Sequence, residues 1–304
     1  MEREARGRQQ IQKPLSGSPE SFQEALDRMK AIQEIRKPLD IFKDRVDIKI
    51  DTGKVPYFFY MPIGDTHFGA EGVDYGYIEK ALSYAQRNNV QIGTHGDLGD
   101  MFSPKIIAEA MMDTVANPDE QAMTIRKFYE EYQKNILYGV SGNHDDWVRK
   151  ASGVELYRWM VQDLNIPLLN AGGSLHLNIN GIDYKGLMYH AIGKFGSSFN
   201  GTHAGKQMLR MQEDADFAIS AHTHNFSEEK TQMRDKKVMV VVVGTPKTED
   251  KFGKRSFGLG AKPQTGWPTL MFDGTKKNIE IIEDMETAEN IIKGLKLLYG
   301  GKKK

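Results

Sequence analysis

Short apolar runs alternate with helix-spaced ones along most of this chain. Phe22, Leu26, Met29 and Ile32 recur at helical spacing behind Ser18-Pro19, an N-cap followed by proline at the first helical position. They predict one amphipathic helix over 19–37 that stops before Pro38. From about Val46 the period changes to two. Val46, Ile48 and Ile50 alternate, Thr52-Gly53-Lys54 turns the chain, and residues 57–61 form a second strand. Farther on, 90–93, 136–140, 187–189 and 217–220 read as buried strands. Residues 74–89, 104–134, 154–164, 201–214 and 286–298 read as helices. Asn180-Gly181 and Asp273-Gly274 mark two hairpins. Strands alternating with helices, plus hairpins, predict a layered α/β sandwich rather than an all-parallel sheet. The polar stretch 1–18 reads as a disordered tail, 19–44 as a helix and linker, and 45–300 as the main domain. The 19–37 helix packs on that domain or forms a contact between subunits of an oligomer.

Residues suited to metals and proton transfer gather at the strand ends. Five clusters stand there: Gly64-Asp65-Thr66-His67, Gly96-Asp97-Leu98-Gly99-Asp100, Gly142-Asn143-His144-Asp145, His190, and His222-Thr223-His224. Ligand sites of open α/β sheets collect outside the carboxyl ends of strands. A side-chain period of two puts Asp65 with His67, and His222 with His224, on common faces where strand geometry persists. Alone, each cluster has a plain reading: a surface turn, a solvated loop, an N-cap or a core histidine. Together, in this order and each at a strand end, they read as a metal site.

Composition narrows the chemistry. The chain has 304 residues with 41 basic and 41 acidic side chains, which excludes a polybasic coat for nucleic acid but leaves a local basic groove open. There is no cysteine, so disulfides, thiolate zinc sites, iron–sulfur clusters and cysteine nucleophiles are excluded, and any metal is held by nitrogen and oxygen. The strongly apolar run 238–243 is far shorter than the roughly 20 residues a membrane helix needs. The charged opening Met1-Glu-Arg-Glu-Ala-Arg is not a secretory signal, so no membrane and a cytoplasmic location are expected.

The five clusters resemble the signature of the calcineurin-like metallophosphoesterases over roughly residues 60–246. Gly244-Thr245 is similar to the Gly-Ser those proteins carry, while Ala221 stands where they usually have Gly. The resemblance implies a four-layer α-β-β-α sandwich with mixed sheets and two divalent ions bridged by Asp97. Asp65, His67 and His224 would hold one ion, and Asn143, His190 and His222 the other. His144 would face the leaving group, with Asp100 orienting it. Imidazole, carboxylate and amide oxygen suit manganese first, with iron, zinc, nickel or magnesium as alternatives. Two such ions, roughly 3.5–4 Å apart, make hydroxide available near neutral pH for in-line attack on a phosphoester.

The substrate is less defined. Protein phosphatases of this type carry Arg and Glu where this chain has Met101 and Asp145, and the motifs look nearer to phosphodiesterases and repair nucleases. A nucleotide or a DNA or RNA backbone is therefore expected. The alternatives are a phosphomonoesterase of a small metabolite and a non-catalytic, metal-stabilised binding protein. Lys254 and Arg255, in a basic and aromatic stretch that includes Phe252 and Phe257 with Trp267 nearby, are candidate contacts to phosphates and bases. Lys194, in the glycine-rich turn after His190, is another. Solvated mobile loops are the competing reading of both stretches.

Overall fold

The computed structural model describes residues 22–36, 42–101, 114–152, 155–191, 201–212, 214–233, 235–248 and 266–300. The chain falls into two units, 1–42 and 43–304. The first contributes helix α1 (Phe22–Arg36), on which Phe22, Leu26 and Met29 are exposed.

The second unit is built on strands β1 (Phe42–Ile50), β2 (Tyr57–Ile63), β3 (Gln91–His95), β4 (Ile136–Val140), β5 (Leu168–Ile179), β6 (Ile182–Tyr189), β7 (Phe217–Ser220), β8 (Ser227–Met233), β9 (Lys236–Val242), β10 (Thr269–Asp273) and β11 (Ile279–Ile282). Between them lie α2 (Tyr75–Asn88), α3 (Pro118–Tyr132), α4 (Asn143–Ser152), α5 (Leu156–Val161), α6 (His203–Met211) and α7 (Met285–Gly300). The strands join in one mixed sheet of order β11-β10-β2-β3-β4-β5-β6-β7-β9-β8, with β1 on β5. β2 through β5 run parallel, as do β6, β7 and β9, whereas β5–β6, β8–β9 and β10 with both neighbours are antiparallel. β3 and β7 are buried almost throughout, which is why they read as short, unalternating apolar runs.

The mixed sheets expected from sequence are one ribbon curled on itself. Phe272 of β10 lies 5.1 Å from Tyr184 of β6 and 5.4 Å from Phe217 of β7, ring centre to ring centre. Those strands are several places away along the sheet, so its two halves face each other across an aromatic core. The buried Tyr184 hydroxyl donates to the Asp273 carbonyl at 2.7 Å and accepts from Asn278 N at 2.9 Å. Helices cover the outer faces. At Gly205 a Cβ would come within 2.3 Å of Val240, so α6 lies directly on β9.

Both predicted hairpins are present. Asn180 and Gly181 have φ 52° and 93°, the left-handed pair a two-residue turn requires. The helix expected over 104–134 begins at Pro118. Asn117 caps it in a reciprocal capping box with Glu120, and Thr114 instead bridges Ala70. Residues 102–113 lie outside the described residues. Strand β8 was not foreseen, because SEEKTQM is a half-exposed edge with almost no apolar alternation.

Candidate metal centre

The parallel pairing of β2 with β3 continues beyond both strands. Asp65 N donates to Gly96 O and His67 N to Asp97 O, each at 3.1 Å, and Phe68 N to Leu98 O at 2.7 Å. The first two clusters therefore run side by side. The expectation that strand alternation aligns Asp65 with His67, and His222 with His224, is corrected here. β2 and β7 end before these residues, and all four have positive φ: 48° at Asp65, 46° at His67, 74° at His222 and 57° at His224. Asp97 joins them at 48°. Left-handed backbone costs an L-residue with a Cβ roughly 1–2 kcal/mol, so the surroundings must hold these turns.

The surroundings do so through named contacts. Thr66 Oγ1 donates to Leu98 O at 2.8 Å, and Thr245 Oγ1 donates to Asp65 O at 2.6 Å. His222 N donates to Asp65 Oδ2 at 2.7 Å, and His144 N to Asp97 Oδ1 at 2.9 Å. Gly142 passes so close that a Cβ there would lie 1.9 Å from Asp97 Oδ1. Trp267 completes the brace. It is fully buried, and its indole Nε1 reaches Gly64 O at 3.3 Å and Gly244 O at 3.2 Å. A side chain so enclosed cannot stack on a substrate base, which removes Trp267 from the nearby aromatics proposed for that role.

Seven of the sequence candidates converge into two adjoining donor groups. Asp65, His67 and His224 offer atoms within 4.8 Å of one another, and so do Asp97, His190 and His222. In the first group, His67 Nε2 faces His224 Nε2 at 2.9 Å, with Asp65 Oδ1 at 4.0 Å from the latter. In the second, His190 Nε2 lies 3.1 Å from Asp97 Oδ2 and 2.8 Å from Asn143 Oδ1. His67 Nδ1 is held by Asp100 Oδ1 at 2.7 Å and His190 Nδ1 by His95 O at 2.7 Å. Acceptors on Nδ1 place the ring proton there and leave Nε2 as the donor atom, the arrangement typical of metal-ligating histidine. Asp65 Oδ1 is buried with no hydrogen-bond partner among the described residues. A cation beside it would meet that need, and the donor set fits a divalent transition metal.

Burial and charge set the electrostatics. Burial pushes the Asp65 carboxyl up to about 6. Burial opposes charge on Asp97 too, but His190 and His144 outweigh it and hold the carboxyl well below its usual range. At His190 burial works against the proton, while Asp97 and Asp65 lift it to about 10. Burial, helped by Lys247, lowers His67 to about 3, and burial with His190 lowers His222 to about 4. The two buried carboxylates thus lean on an imidazolium for compensation, a role that a cation fills when bound.

His144 lies at the edge of this group, with Nε2 at 3.7 Å from Asp97 Oδ2. Its Nδ1 meets the Asp100 carbonyl oxygen at 2.5 Å, whereas the Asp100 carboxylate stands 4.0 Å away. The expected pairing is thereby altered: Asp100 fixes His144 through its backbone, and its side chain orients His67. Lys194, Lys254 and Arg255, with Phe252 and Phe257, lie outside the described residues.

Two contributors were given no role from sequence, and a third, Lys247, was read there only as one of a run of cations suited to phosphates. The His95 carbonyl orients His190, and no side-chain pattern signals a backbone acceptor. Asp145 is buried beneath Asp97, accepts from Gly142 N at 2.7 Å, and is pushed up to about 7 by burial and by Asp97. Its place directly after Asn143-His144 was the available signal. Lys247 is buried near His67 and Asp100 and its charge acts on both.

No protein-family model and no curated protein matches the chain. Among solved structures it is similar to Vps29 of Entamoeba histolytica in complex with zinc, at 12% identity and a TM-score of 0.39, covering 74% of this chain and 99% of that one. It is also similar to a predicted phosphoesterase of Streptococcus pneumoniae, at 13% identity and a TM-score of 0.35, covering 75% of this chain and 90% of that one. A metallophosphoesterase of Sphaerobacter thermophilus is similar at 15% identity and a TM-score of 0.38, covering 80% of this chain and 100% of that one. These are loose superpositions, and the case for a metal site stands on the side-chain distances. Among the described residues no helix is long and apolar enough to cross a membrane.

Proposed function

We propose that the chain is a calcineurin-like metallophosphoesterase, a phosphoester hydrolase working with two divalent ions. Asp65, His67 and His224 would hold one, Asn143, His190 and His222 the other, with Asp97 shared. The observation that carries this reading is the convergence of both donor groups beside Asp97 at the carboxyl ends of parallel strands, with Asp65 Oδ1 buried and without a hydrogen-bond partner among the described residues. When bound, such ions make a nucleophilic water available near neutral pH and neutralise phosphoryl oxygens.

The chain's own residues supply position and a proton. Backbone N–H groups of His222 and His144 fix the Asp65 and Asp97 carboxylates. The Asp100 carbonyl only accepts, so His144 carries its ring proton on Nδ1 and presents Nε2 toward Asp97. In the imidazolium form a second proton sits on Nε2, and it is this proton that His144 would deliver to a departing alkoxide, leaving the neutral ring protonated on Nδ1.

A phosphodiester of a nucleotide or of DNA or RNA is the substrate class we favour. Met101 and Asp145 depart from the protein-phosphatase pattern, and Lys194, Lys254 and Arg255 are cations suited to further phosphates. The test is hydrolysis of bis-p-nitrophenyl phosphate and of p-nitrophenyl phosphate with manganese, for wild type and Asp97→Asn. A metal-requiring rate lost in the variant, and faster on the diester, supports the proposal. Folded, metal-loaded protein with no turnover on either ester would return the chain to a metal-stabilised binding role.

A further inference from the structure

Trp147 stands one helical turn beyond His144 on α4, and the two rings pack at a tilt, centroids 4.0 Å apart at 34°. On its other flank His144 meets His67 edge-on, with ring centres 4.9 Å apart at 80°. His144 differs from its neighbours in how far it is enclosed. His67 and His190 have side chains only 2% exposed, and each is fixed by an acceptor on Nδ1. The His144 side chain is 16% exposed, with one backbone acceptor. At this more open position the one bond leaves the imidazole room to swing about its donor–acceptor axis. A planar surface packed on one face stops the swing.

We propose that Trp147 is a positioning residue that holds His144 with Nε2 turned into the metal centre, so that the proton reaches the leaving group. The inference rests on the hydrolase reading above and adds to it a residue that touches neither metal nor reacting atoms. Trp147 acts only through His144. Its removal therefore slows esters whose leaving group needs a proton and spares those that leave as stable anions.

Two measurements test this on the full chain. In metal-free protein at a pH low enough to protonate histidine, an imidazolium packed against an indole quenches its emission. His144→Ala is expected to raise tryptophan fluorescence when Trp147 is present and to leave it unchanged in a Trp147→Phe background. No rise in the first case overturns the stack. The second measurement compares a dinucleoside monophosphate, with an alkoxide leaving group, against bis-p-nitrophenyl phosphate. Trp147→Leu is expected to lose about tenfold in kcat on the dinucleotide, part of the ~10²–10⁴ that general acids contribute. KM and bound metal should be unchanged, the loss on the nitrophenyl ester much smaller, and Trp147→Phe should restore most of the rate. Equal losses on both esters, or none, overturn the positioning role while the hydrolase reading stands. A wild type inert on both esters overturns the hydrolase reading itself.

Discussion

Thr245→Val tests how the left-handed turn at Asp65 is held. The Thr245 side chain is fully buried, donates to the Asp65 carbonyl at 2.6 Å and accepts from Lys247 N at 3.1 Å. Valine keeps the shape and removes the hydroxyl. The buried Asp65 carbonyl then loses its partner, at a cost of about 1–3 kcal/mol, and the lost bond from Lys247 N adds about 1 kcal/mol. The sum is roughly 2–4 kcal/mol. For a unit of this size each kcal/mol moves Tm by about 2–4 °C, so a fall of roughly 5–15 °C is expected. The same hydroxyl steadies a proposed ligand, and residues in that position typically change metal affinity about 10–100-fold. Urea unfolding gives the first number and titration calorimetry with manganese the second. Thr245→Ser keeps the hydroxyl and should stay near wild type in both. A valine variant within about 0.5 kcal/mol of wild type, with unchanged manganese affinity, would refute the claim that this bond maintains the turn.

Further expectations follow from individual contacts. His222→Ala should keep the ion at Asp65, His67 and His224 and lose the other, so metal analysis should read half the wild-type content; complete loss would mean the groups bind as one. Gly142→Ala drives a Cβ to 1.9 Å from Asp97 Oδ1, so it should destabilise by about 1–3 kcal/mol and release metal, as thermal unfolding with and without manganese would report. Trp267→Phe removes the indole donor to Gly64 O and Gly244 O; it should cost about 1–3 kcal/mol in unfolding while leaving KM for a dinucleotide unchanged. A raised KM at constant stability would put Trp267 back among substrate contacts. Saturating manganese at about 100 times its Kd should stabilise wild type by about 2.7 kcal/mol for each ion bound and Asp97→Asn much less, read from Tm.

The position of the site was legible because parallel strands deliver their loops to one rim. Asp65, Asp97, Asn143, His190 and His222 each follow a run that the eye reads as a buried strand. The route by which they converge was not legible. Asp65 and His67 are two residues apart, and spacing alone suggests a continuing strand; the structure has both in left-handed turns, set by the bond of Thr66 to Leu98 and by Thr245 and Trp267, all partners from distant parts of the sequence. The division of labour at Asp100 was hidden for a related reason. Its carbonyl serves His144 and its carboxylate serves His67, and a motif records the residue without saying which of its atoms is used. Strand β8 escaped because an edge strand carries its pairing in the backbone. Trp267 looked like a stacking candidate because its enclosure depends on strands far from it in sequence.

The curled sheet has a mechanical consequence. It resembles a book whose spine runs near β5, with β2–β4 and β10–β11 on one cover and β6–β9 on the other. One margin is fastened by the protein's own contacts. Asp273 pairs with Tyr57 at the start of β2, and there Tyr184 ties β6 to the β10–β11 turn while Lys230 pairs with Glu280. The opposite margin is where the candidate metal donors sit, and they come from both covers: Asp65, His67, Asp97 and Asn143 from one, His190, His222 and His224 from the other. Cations bound there would act as the second clasp. Metal loading would then be felt along the whole open margin, as slower amide exchange in the loops after β2, β3, β4 and β7, while the Tyr184 margin stays as it was.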